Sequence, residues 1–164
     1  MNRTAIVLVT GVAGSGKTTI GTRLAQRLGW PYFEGDDFHP PANRDRMASG
    51  LPLDESHRAP WLAALRACMD EVRAMGGHAV FSCSALREAH RAQLVGGCDD
   101  VLLVHLAGDY ETIHGRAVQR QGHFFDPTLV ASQFDALEPP RDALVINVSE
   151  TPDAIVESIV QAVE

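Results

Sequence analysis

The stretch GVAGSGKT, Gly11 to Thr18, constrains this chain more than any other. It matches GxxxxGK[ST] in full and follows a continuous apolar run, Ala5 to Val9 (AIVLV). A run that is apolar at every position reads as a strand buried on both faces. After the motif, Ile20, Leu24 and Leu28 recur at helical spacing, and Gly29 stops that helix. A strand, a glycine-rich turn and a helix together form a phosphate cradle. Glycines let successive backbone N–H groups face phosphate oxygens, and the positive end of the helix adds to their field. The expected nucleotide contacts are Gly11, Val12, Ala13, Gly14, Ser15, Gly16, Lys17, Thr18 and Thr19. Lys17 can reach the β- and γ-phosphates. The Thr18 hydroxyl can ligate Mg²⁺, a hard ion that prefers oxygen.

Short β-rich runs alternate with helical periods along the rest of the chain. Strands are expected at Pro31–Glu34, Ala79–Cys83, Val101–Leu106 and Ala143–Val148. Between them, Trp61, Leu62, Leu65, Met69 and Val72 mark a long helix ending at Gly76-Gly77. A last helix opens at Thr151-Pro152, a cap followed by proline at the first helical position, and buries Ile155, Ile159 and Val163. Five buried strands alternating with helices predict an α/β fold with a parallel sheet covered on both sides. Ligands in such sheets bind beyond the carboxyl ends of the strands, where the motifs of this chain fall.

With 164 residues the chain is expected to form a single domain. Fourteen basic against twenty-one acidic residues argue against a nucleic-acid surface, which needs a basic face. Three widely spaced cysteines without CxxC point to free thiols in a reducing compartment. The apolar run before Gly11 is too short for a signal peptide or a membrane span, so the expectation is a cytoplasmic protein with no membrane partner. Among nucleotide-using classes, a GTPase would carry NKxD, which is absent. A motor ATPase would carry an apolar strand ending in Asp, and the third strand here ends VFSCS.

The second protein contact for a metal must therefore come from another stretch, and EGDDFHPPAN, Glu34 to Asn43, offers one. Its strand delivers Glu34 and Asp36 to the sheet edge that carries the phosphate loop. Asp36 is the candidate base, a carboxylate that accepts a hydrogen bond from an acceptor hydroxyl and aligns it for in-line attack. Phosphoryl transfer needs mainly positioning and charge neutralisation, so one aligned carboxylate plus cations suffices. Glu34 can hold a magnesium-bound water, and His39 can hydrogen-bond another hydroxyl or a carboxylate.

The combination GVAGSGKTT, GDDFHPPANRDRMASGLPLDE, HRAPWL, CSALRE, GHFF and SQFDALEPP resembles the gluconokinase family, small P-loop sugar-acid kinases related in fold to shikimate and nucleoside monophosphate kinases. The likeness runs over nearly the whole chain with its motifs in order. It implies ATP-dependent phosphorylation of D-gluconate to 6-phosphogluconate, a five-stranded parallel sheet of order 2-3-1-4-5, and a homodimer. It also implies that the GDDFHP carboxylates face a polyhydroxy acid. Two positions depart from the pattern: Arg87 stands where the family often has lysine, and Gln121 where it often has a charged residue. The competing expectations are a kinase for shikimate or a nucleoside monophosphate, and a non-catalytic ATP-binding module.

Further candidates complete the set. Arg44 or Arg46, on a short helix from Pro41 to Ala48, can supply a guanidinium fork for a substrate carboxylate. Trp61 suits either the core or, beside Arg58 and Pro60, the wall of a sugar pocket. Ser84 and Arg87, after the third strand, are placed to meet the acceptor. Arg116 and Arg120 lie four apart on one helix face and suit a transferring γ-phosphoryl group. Residues from about 116 to 128, including Gly122, His123 and Phe124, are expected to form a lid that excludes water. Ser149 to Asp153, after the last strand, are placed by the fold to frame the adenine.

Overall fold

The computed structural model describes residues 3–119 and 129–164. Its centre is β1 (Ile6–Thr10), every residue of which is buried. The strand buries both faces because its side chains alternate between two cores. Val7 and Val9 point to one side, with Ile20 and Leu24 of α1 (Lys17–Leu28) and Ile155 and Ile159 of α7 (Pro152–Val163). Ile6 and Leu8 point to the other, with Trp61, Leu65 and Met69 of α3 (Glu55–Ala74).

β2 (Tyr32–Glu34), β3 (Ala79–Ser82), β4 (Val101–Ala107) and β5 (Leu144–Asn147) complete a parallel sheet of order β2-β3-β1-β4-β5. This is the order implied by the family resemblance. The strands sit where hydrophobic patterning expected them: β2, β3 and β5 are trimmed at their ends, β1 is shifted by one residue, and β4 runs one residue further. The remaining helices are α2 (Pro41–Ala48), α4 (Glu88–Val95), α5 (Tyr110–Gln119) and α6 (Leu129–Ala136). No helix among the described residues is long and apolar enough to cross a membrane.

Local chemistry sets the boundaries. Gly29 takes φ 71° and ends α1 with its N–H on the carbonyls of Ala25 and Gln26. Asp54 caps α3 reciprocally: its side chain accepts the His57 N–H, and the His57 ring bonds the Asp54 backbone N–H. Thr151 Oγ1 accepts the Ala154 N–H at 3.2 Å, with Pro152 opening α7 as expected. The GDDF stretch is a single 3-10 turn, Gly35–Phe38, rather than open loop. At Gly35 a Cβ would collide with the Ser82 carbonyl, so only glycine lets β2 leave the sheet this close to β3.

Candidate active site

The phosphate loop joins β1 to α1, and its last glycine, Gly16, adopts φ 98°, which an L side chain resists. Lys17 and Thr18 open the helix at the carboxyl edge of the sheet. Lys17 Nζ donates to the Val12 carbonyl at 3.0 Å, folding the ammonium back over the loop.

The acidic stretch meets the loop there. Thr18 Oγ1 donates to Glu34 Oε2 at 2.7 Å. The same oxygen accepts the Tyr32 hydroxyl at 2.8 Å, while Glu34 Oε1 accepts the Ser82 hydroxyl at 3.1 Å. Strand geometry makes this network: Tyr32 and Glu34 are two apart and share a face, and Glu34 stands in register with Ser82 of β3. Burial pushes the Tyr32 hydroxyl far up, so it remains a donor. Tyr32 and Ser82 were not among the residues expected from the sequence. Their only signal there was position, one two residues before the acid and the other at the end of a buried strand.

Asp36 lies at the cleft mouth and is solvent-accessible, yet protein surrounds it on most sides. That desolvation, followed by the charge of Glu34, pushes its carboxyl above the usual range, and Lys17 pulls the other way. A carboxylate so placed is a better proton acceptor than a solvated one.

Behind it, His39 is buried and stacks on Trp61, ring centroids 4.2 Å apart. The Asn43 amide donates to His39 Nδ1 at 3.1 Å and to the His57 carbonyl at 2.8 Å. With Nδ1 accepting, the ring proton sits on Nε2. Burial and the charges of Arg44 and Arg58 lower the His39 pKa to about 4. Trp61 is 3% exposed, and its indole N–H donates to the Gly35 carbonyl at 2.8 Å. It therefore belongs to the core and reaches the cleft through Gly35 and His39, not as an open wall.

The two arginines of α2 are used differently. Arg46 grips the Pro52 carbonyl through Nη2 at 3.0 Å, away from the cleft. Arg44 donates to the Asp37 carbonyl at 2.8 Å and acts electrostatically on both Asp36 and His39. Arg58 bonds Glu55 at 3.2 Å, and Glu55 also meets His90 Nε2 at 3.1 Å. Ser84 is half-buried just past β3, and Arg87 is exposed at the entry to α4. Between them Ala85 holds φ 37°, its carbonyl bound by the buried Arg91 guanidinium at 3.0 Å. The Cys83 thiol is pushed up to about 12 by burial, so it stays neutral.

On the other side of the loop, a cavity of about 370 Å³ is lined by Gly14, Thr19, Arg116, Val148, Glu150 and Pro152. It has the size and apolar walls of a nucleotide-base site. Arg116 Nη2 donates to the Val148 carbonyl at 2.7 Å, which holds the guanidinium at the wall of this cavity. Arg120, Gly122, His123 and Phe124 lie outside the described residues, as does most of the expected lid.

The Thr18–Glu34 pair fits a magnesium ion, which takes one or two protein oxygens and completes its shell with water and phosphate. A cluster of three or more His, Cys, Asp or Glu side chains is not needed for that, and among the described residues none occurs.

Comparison with known proteins agrees with this geometry. A family model described as an AAA domain matches residues 6–140. The chain is 42% identical over 158 residues to the gluconokinase of Gluconobacter oxydans (strain 621H), covering 94% of this chain and 89% of that one. It is 39% identical to a probable gluconokinase of Xenopus tropicalis, covering 94% and 90%. The crystal structure of a gluconokinase from Sinorhizobium meliloti 1021 superimposes with a TM-score of 0.86 at 32% identity, covering 99% and 93%.

Proposed function

This chain belongs to the gluconokinase family, and on that premise we propose that it transfers the γ-phosphoryl group of ATP to D-gluconate, yielding 6-phosphogluconate and ADP. The observation that carries the reading is the Thr18–Glu34 hydrogen bond, 2.7 Å long, because it joins the phosphate loop and the acidic turn in one cleft. Only such a cleft lets a bound triphosphate and an alcohol meet in line.

In this reading Lys17 and the loop N–H groups from Gly14 onward hold the phosphates, the Ala13 N–H being already donated to Gln133 Oε1, and the base enters the cavity beside Arg116 and Val148. Asp36 accepts the proton of the acceptor hydroxyl as its oxygen bonds to the γ-phosphorus and the bond to the β-γ bridging oxygen breaks. The raised Asp36 carboxyl supports that role. His39, neutral with its proton on Nε2, donates to a substrate oxygen. Arg44 and Arg58 favour the sugar-acid carboxylate. Glu34 and Thr18 would hold Mg²⁺, which would neutralise charge on the phosphates. Ser84 and Arg87 border the acceptor side. Arg120, Gly122 and His123 belong to the lid of the same reading. The enzyme works as a cytoplasmic homodimer, and a monomer in sedimentation at assay concentration would count against that part.

The test is ADP release in a coupled assay with gluconate, shikimate and nucleoside monophosphates as alternative acceptors. Release with gluconate alone is expected. Release with another acceptor instead, or tight ATP binding with no turnover on any of them, overturns the proposal.

A further inference from the structure

The peptide unit between Val12 and Ala13 is held from both of its polar ends. Its carbonyl accepts Lys17 Nζ at 3.0 Å and the Ser15 N–H at 3.2 Å. Its N–H, on Ala13, donates to Gln133 Oε1 of α6 at 2.6 Å. This is a long-range contact, 120 residues apart in sequence, and it uses a backbone donor of the phosphate loop itself.

Gln133 is anchored well enough to orient that peptide. Val130 and Phe134, its neighbours on α6, pack into the core cluster that contains Val12. Just past α6, the Glu138 N–H donates to the Leu86 carbonyl at 2.8 Å, and the Glu138 carbonyl accepts the buried Arg91 guanidinium at 2.6 Å. The helix is thus pinned to the α4 side of the molecule while its glutamine reaches the phosphate loop.

We infer that Gln133 is a positioning residue for Lys17: by holding the Ala13 N–H it fixes the plane of the Val12–Ala13 peptide, and that plane sets where the carbonyl seats the lysine ammonium. An N–H that is itself donating also makes the carbonyl of the same peptide a stronger acceptor. The amide is suited to the task because it accepts the hydrogen bond without adding negative charge beside incoming phosphates. The inference rests on reading Gly11 to Thr18 as the triphosphate cradle, and on nothing about the acceptor.

The test measures ATP affinity without any acceptor, by calorimetry, for a double-mutant cycle of Gln133→Met and Lys17→Met. Methionine keeps the unbranched length at a half-exposed site and removes the acceptor oxygen. Gln133→Met is expected to weaken ATP binding on the order of fivefold in the wild-type background, the size of one lost hydrogen bond. In the Lys17→Met background the same change is expected to cost less than about twofold, because the group it positions is gone. Gln133→Ala is expected to reproduce that pattern. Equal losses in both backgrounds would mean Gln133 acts independently of Lys17 and would overturn the inference alone. Unchanged ATP affinity in Lys17→Met would overturn the cradle reading together with it.

Discussion

His39 lies flat against Trp61, with ring planes 14° apart and centroids 4.2 Å apart, while the tryptophan N–H holds the Gly35 carbonyl at the head of the acidic turn. One core residue therefore sets both the turn that carries Asp36 and the imidazole behind it. The consequences reach ionisation, stability and catalysis.

His39 has a folded pKa of about 4 against an ordinary value of 6.5. The unfolded chain thus takes up its proton at higher pH than the folded one. The fold loses stability from this group as pH falls from 6.5 towards 4, and none is lost above 6.5. Imidazole NMR shifts should show His39 as the neutral Nε2–H tautomer from pH 8 down to pH 5, with a midpoint well below that of an exposed histidine. A midpoint near 6.5 would contradict the burial argument.

Trp61→Phe removes the indole donor and leaves the buried Gly35 carbonyl without it. The expected cost is about 1–3 kcal/mol in denaturant unfolding, because an unsatisfied buried acceptor bears its full desolvation penalty. Turnover should also fall, since the turn that holds Asp36 loses its tether. A variant as stable and as active as the wild type would remove Trp61 from this role.

Asp36→Asn should lower kcat by two orders of magnitude or more, on the order of a lost general base, while ATP affinity changes little. Stability should move the other way. A carboxyl raised above its ordinary 3.8 keeps its proton longer in the folded state, so the wild type loses stability as pH rises from that value through the raised one. The asparagine variant lacks that loss, and its advantage in melting temperature should grow over that window and then level off. Equal loss of kcat and ATP affinity would argue against the base role.

Glu34→Gln removes the carboxylate charge beside Thr18 while keeping the side-chain length. The Mg²⁺ concentration for half-maximal activity is expected to rise about 10-fold or more, with metal-free ADP binding nearly unchanged. Tyr32→Phe, which takes away one donor to the same carboxylate oxygen, should give a smaller shift in the same direction. An unaltered magnesium requirement in both variants would place the metal elsewhere.

Much of the fold could be read in advance because its signals are local. The AIVLV run, the full phosphate-loop motif and the Thr151-Pro152 helix start each carry their meaning within a dozen residues. That Glu34 would stand beside the phosphate loop was likewise legible, since it ends β2 at the sheet edge where Thr18 opens α1. Helix α4 was missed: it is only Glu88–Val95, and its buried His90 and Arg91 disguise a short apolar pattern. Arg116 stood out in the sequence only by its charge and helix position, and its Val148 partner, 32 residues on, could not be inferred from helix spacing.

What the sequence determined by itself was the succession of strands, the phosphate loop and the acid that ends β2 beside it, because hydrophobic period and backbone freedom act between near neighbours. Only the folded chain decided that Tyr32 and Ser82 would share Glu34, that Trp61 would serve the turn from inside the core, and that Gln133 would reach Ala13. Hydrogen bonds leave no periodic trace in the chain. Their partners are chosen by how strands and helices pack, and that packing brings together residues that sequence keeps far apart.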